Sequence, residues 1–119
     1  MERTISRDQW SEYFQEFSEK NSHRNTRLEI FDENGVQEAE HGLPFAGIDL
    51  DTKDASSPSV EIWLEGEGSD TRHLEHRIPH VRQVMIKIGA DNSDEVLDIE
   101  SELTTRTLLH FEKRELAGV

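Results

Sequence analysis

The sequence predicts an α+β domain: one N-terminal amphipathic helix packed on a strongly curved, mainly antiparallel sheet, or partly open barrel, of about seven strands. Three observations predict it. Apolar residues recur with a helical period only near the start of the chain. Every later apolar run alternates, and turn signals separate the runs at hairpin spacing. No second helical pattern stands between the runs, so the connections are hairpins rather than crossovers.

The helix is read over residues 5–17. Trp10, Tyr13, Phe14 and Phe17 fall at i, i+3, i+4 and i+7, which places four rings on one face. That stripe is core rather than a ligand box, because a sheet needs a cover. Ser6 followed by Gln9 reads as a capping box, and Ile5 with Trp10 as a hydrophobic staple. Asp8 and Glu12 sit where the helix dipole favours acids. The polar stretch 21–25 ends the helix.

Residues 26–31 alternate, with Leu28 and Ile30 on one face. Asn34-Gly35 is a hairpin signal, so residues 36–41 return as a polar, partly exposed strand. Gly42-Leu43-Pro44 is expected to break the pairing. Residues 45–51 form a third strand with a fault. Leu43 and Phe45 share one parity, Ile48 and Leu50 the other, and a bulge at Gly47 restores both pairs to one face. Residues 51–58 are polar and read as a mobile loop. Residues 59–65 are the cleanest strand: Val60, Ile62 and Leu64 point one way, Glu61, Trp63 and Glu65 the other. After a turn at 66–70, residues 72–78 set Leu74, His76 and Ile78 against His73, Glu75 and Arg77. Pro79 rules out a central strand position at that point. Residues 81–88 carry Val84, Ile86 and Ile88; residues 95–100 give Val96 and Ile99; residues 105–112 give Leu109 and Phe111. Residues 1–112 are read as a single domain and 113–119 as a flexible tail.

Composition bounds the function. Hydrophobic residues make up 33%, which is low, but they are gathered into periodic segments, and that separates the chain from disordered sequences. The formal net charge of −13 opposes binding to nucleic acid and to anionic membranes. Cysteine is absent, which removes disulfides, thiolate metal sites and cysteine catalysis together. With no long apolar run and no apolar leader core at residues 1–4, the expected location is the cytoplasm. Arginine exceeds lysine within an acidic chain, a balance expected of a protein that works in high salt.

The segments Ile5-Ser6-Arg7-Asp8-Gln9-Trp10, Leu43-Pro44-Phe45-Ala46-Gly47-Ile48 and Thr105-Arg106-Thr107-Leu108-Leu109-His110-Phe111 carry a resemblance. Across nearly the whole chain it resembles a family of small bacterial domains of unknown function. The resemblance implies the helix-then-strands fold and no activity. Where that family has an Asp-Gly turn before the closing strand, this chain has Glu102-Leu103-Thr104.

Chemistry has few places to reside. His73, Glu75, His76 and His80 lie within eight residues and contain the donor types zinc takes. On a strand, however, His73 and His76 face opposite sides. Asp49, Asp51 and Asp54, and Asp91, Asn92, Asp94 and Glu95, are oxygen-rich, but neither group has calcium-loop spacing. The serines fall mainly in caps and turns, and no nucleophile-elbow or phosphate-cradling motif occurs. Trp63 stands on the outward parity between two glutamates and marks a contact surface; Met85, opposite Val84 and Ile86, is a candidate for the same patch. The expected function is a non-catalytic interaction module without a cofactor, its partner another protein or a second copy paired through an edge strand such as 36–41. The alternative is a metal- or small-ligand-binding domain built on His73, His76 and His80.

Overall fold

The structure is a computed structural model that describes residues 1–54, 56–102 and 105–112. The expected tail at 113–119, and Leu103 and Thr104 of the turn before the last strand, lie outside the described residues. The chain runs β1 (Glu2–Ile5), a 3₁₀ turn (Arg7–Gln9), α1 (Trp10–Asn21), β2 (Asn25–Asp32), β3 (Gly35–Asp51), β4 (Ser59–Glu65), β5 (His73–Ile78), β6 (Val81–Ile88), β7 (Asp94–Ser101) and β8 (Arg106–Phe111). Among the described residues one helix therefore meets eight strands in the order β1-β6-β7-β8-β2-β3-β4-β5. Every pairing is antiparallel. The sheet does not close into a barrel: β1 and β5 are its two edges.

The helix start differs from the sequence reading. Ser6 makes no side-chain cap; its carbonyl accepts from the Gln9 N–H at 2.9 Å, and the 3₁₀ turn supplies the local bonds instead. Ile5 belongs to β1, paired with Val84, and Trp10 is fixed to it by an indole N–H bond to the Ile5 carbonyl at 2.9 Å. The helix then runs past Phe17 to Asn21. Trp10, Phe14 and Phe17 are buried as expected, whereas Tyr13 lies at the margin. Phe17 stacks edge-on against Phe45, and Phe111 completes that aromatic cluster.

Gly42-Leu43-Pro44 does not break the pairing. β3 is one continuous strand of 17 residues. Its first part pairs with β2 as far as Pro44, and its second part pairs with β4 from Phe45. The expected bulge is present where the partner changes: the register skips a residue between Phe45 and Gly47, and Leu43, Phe45 and Ile48 are all buried. Beyond the change of partner, β3 has lost β2 as a neighbour, and α1 lies alongside. Ser18 Oγ accepts from the Ile48 N–H at 3.0 Å and donates to the Ile48 carbonyl at 3.1 Å, which satisfies backbone groups a neighbouring strand would otherwise take.

At the C-terminal end of α1, buried Arg24 donates to the Asn21 side chain and to the Asp94 carbonyl, both at 2.9 Å. Asn21 in turn holds the Asp94 carboxylate at 2.8 Å, and the Arg24 guanidinium lies 4.7 Å from the centre of the Phe111 ring. This knot ties the helix to β7 and β8. It also corrects the parity of β7: Leu97 and Ile99 face the core, while Val96 faces outward.

Candidate functional site

The alternation of β4 builds the outer surface that the sequence singled out. Val60, Ile62 and Leu64 are buried, so Glu61, Trp63 and Glu65 stand on the opposite face. Trp63 pairs with Gly47 of the bulge on one side and with Glu75 of β5 on the other. Its ring lies against the bare glycine: a Cβ added at Gly47 would sit 3.9 Å from ring carbon Cε3. Trp63 is thus partly buried rather than fully exposed. The bulge supplies its cover and leaves the remainder of the ring on a polar surface.

The charges on this face are unevenly paired. Arg77 bridges Asp51 at 2.9 Å and Glu61 at 2.6 Å, and the Lys53 backbone N–H together with the Arg77 guanidinium holds the Asp51 carboxyl below its usual range. Asp49, next to Glu61, and Glu65 and Glu75, toward the other end of the same face, have no cation partner among the described residues. Beside Glu65 a cleft of about 200 Å³ opens, lined by Ser22, His23, Pro44, Ala46, Glu65 and Glu67. His23 and Glu67 face each other there at 2.6 Å.

Met85 lies elsewhere. It sits on β6, and β7, β8, β2 and β3 stand between it and β4. Five strand spacings amount to roughly 24 Å along the sheet, so Met85 and Trp63 do not form one patch. Met85 instead lines a separate cleft of about 260 Å³ with Val96 and Leu108, rimmed by Asp98, Arg106 and His110. The rim groups already serve one another. The Arg106 Nε donates to both Asp98 oxygens at 3.0 Å, and His110 meets Glu29 at 2.5 Å.

The three histidines do not converge. His73 is exposed on the outer face opposite Glu65, and His76 lies on the inner parity opposite Ile62 with Leu74 and Ile78. Burial pushes the His76 pKa down. His80 sits in the β5–β6 turn with a left-handed backbone, φ 54°. Among the described residues no three His, Asp or Glu side chains are grouped to hold a metal ion. In the two acidic loops, Asp54 accepts from the Ser56 hydroxyl at 2.7 Å, and Asp94 is taken by Asn21 and by Lys20 at 3.3 Å.

One juxtaposition escaped the sequence reading. Ser57 Oγ is hydrogen-bonded to His80 Nδ1. The signal was available in the hairpin register: Val60 opposite Ile78 brings the residues just before β4 and just after β5 together. A hydroxyl against an imidazole is the beginning of a nucleophile and base, yet neither residue lines the clefts at Ala46 or Met85.

No helix among the described residues is long and apolar enough to cross a membrane. No curated protein and no solved structure matches the chain. A family model does match, over residues 1–118, and the chain belongs to that family, a family of unknown function (DUF5335).

Proposed function

We propose that this domain is a non-catalytic interaction module and that its contact surface is the outer face of β3, β4 and β5 around Trp63. The observation that carries the reading is a large aromatic ring left partly open on a sheet face, beside Glu65 and Glu75, which have no cation partner among the described residues. Aromatic residues at the centre of a polar rim are typical anchors of protein contacts. The charge of −13 adds that the partner is neither nucleic acid nor an anionic membrane. A cysteine-free, acidic chain further supports a cytoplasmic place of work, in a salt-rich medium.

A surface comparison tests the reading. Immobilised protein is exposed to an extract of its source cells, and retained proteins are compared across variants. Trp63→Ala is expected to release a partner that the wild type and Met85→Ala both keep. A partner that Trp63→Ala keeps and Met85→Ala releases would move the contact to the β6–β7–β8 face and overturn the proposal.

A further inference from the structure

Among the described residues, β1, the first part of β3 and β5 are strands open along one side, the second part of β3 being covered by α1, and they differ in fitness for a guest strand. β1 has four residues. The first part of β3, at 36–42, pairs with β2 alone, but its register slips twice. Bulges are one device by which sheets refuse added strands. β5 is different. All six of its residues pair with β4 in unbroken register from Ile78 to His73. It is a regular edge that carries no bulge.

We propose that β5 receives an extended segment of a basic protein partner as a ninth strand, with the cationic side chains of that segment lying on the Trp63 face. This rests on the interaction reading above and names the partner's chemistry. Backbone pairing along β5 supplies affinity without regard to sequence, and the side-chain face supplies selection. A guest residue beside Glu75 lies two strand spacings, about 10 Å, from the Trp63 backbone. An arginine there spans the gap, salt-bridges Glu75 and lays its guanidinium over the indole. Glu65, two residues along β4 from Trp63, offers a second carboxylate at the same end of the face. At the opposite end Arg77 is already engaged by Asp51 and Glu61, so guest cations favour the His73–Glu75 end.

The test titrates the protein with a peptide of about eight residues that alternates arginine and threonine. Two controls accompany it: the same peptide with glutamate for arginine, and the arginine peptide N-methylated at alternate residues so that its backbone cannot pair. Backbone amide shifts and tryptophan fluorescence are followed; Trp10 is buried, so quenching reports Trp63. The expected result is saturable shifts confined to β4 and β5. Binding should be about tenfold weaker for Trp63→Ala and for Glu75→Lys. It should fall further with salt and vanish for the glutamate peptide. Equal binding by the N-methylated peptide, or shifts scattered over the whole acidic surface, would overturn strand pairing. If Trp63-dependent capture of a partner holds while the arginine peptide leaves β5 unperturbed, the partner chemistry fails and the contact surface stands. If Trp63→Ala changes neither capture nor peptide binding, both fail.

Discussion

At the scale of single residues, the positions that matter are those where a side chain does what local pattern does not announce. Ser18 lies just beyond the helix that the sequence predicts at 5–17, and its hydroxyl serves both backbone groups of Ile48. Ser6 reads as a cap and makes none. Side-chain hydrogen bonds depend on where another element arrives, and composition does not contain that information. His76 was better marked, because strand parity alone places it with Leu74 and Ile78. Its burial has a measurable consequence. Burial lowers the folded-state pKa of His76 below its ordinary 6.5. The unfolded chain therefore takes up this proton first as pH falls. The contribution is fully present above about pH 6.5 and is lost as pH drops through that value towards the folded one. Urea unfolding between about pH 7.5 and 5 should show a decline in stability that is shallower in His76→Leu. This window lies above the range where Asp70, drawn down to about 2 by the guanidinium and backbone N–H of Arg72, begins to titrate. Parallel pH profiles for the wild type and His76→Leu would show that His76 is not held neutral by the core.

At the scale of elements, legibility followed amphipathicity. α1, β4, β5, β6 and β8 were all visible because each has one buried and one wet face. β1 was missed because Glu2, Arg3 and Thr4 are exposed and only Ile5 reaches the core. β7 was read with Val96 inward because Asp94 and Ser101, which are buried, look like surface residues. Their burial is compensated by Asn21 for Asp94 and by the Pro79 carbonyl for Ser101, partners distant in sequence. β3 looked like two strands, since glycine and proline between apolar runs ordinarily punctuate; here Pro44 sits where one neighbour gives way to the next, so its missing N–H costs little. The two glycines flanking the Trp63 strand make this testable. At Gly66 an added Cβ would lie 2.6 Å from the Asp70 carbonyl oxygen, inside the β4–β5 turn. At Gly47 it would make only ordinary contact with Trp63 and Ser18. Gly66→Ala should therefore lose about 1–3 kcal/mol in denaturant unfolding, and Gly47→Ala no more than about 0.5 kcal/mol. The reverse order would mean that the bulge, not the turn, sets the register of β4 on its neighbours.

At the scale of the whole molecule, helix and antiparallel strands could be read from the chain, but the order β1-β6-β7-β8-β2-β3-β4-β5 could not. Periodicity says that a strand has a buried face and is silent on which strand lies beside it. The charge excess, in contrast, belongs to the molecule as a whole and was available from the start. It makes two opposed contributions to stability. Exposed pairs such as Arg72 with Asp70, at 2.8 Å, and Arg82 with Glu100, at 3.0 Å, weaken as salt rises. Exposed pairs of this kind add little to stability. Repulsion among the carboxylates left over, a net −13 on one small domain, weakens at the same time. That repulsion acts between charges spread over the surface, so it reaches beyond the screening length of about 3 Å at molar salt, whereas a pair in direct contact does not. The repulsive part should therefore be screened first and most completely. Stability in urea should rise when potassium chloride is taken from about 0.05 to 1 M, a salt chosen because sulfate would strengthen apolar burial in its own right. The rise should shrink in a variant that replaces Asp49, Glu65 and Glu75 with their amides, since these carboxylates have no cation partner among the described residues and add only to the repulsion. A flat or falling curve for the wild type would show that local ion pairs outweigh the net charge, and would remove the argument from charge for a salt-rich medium.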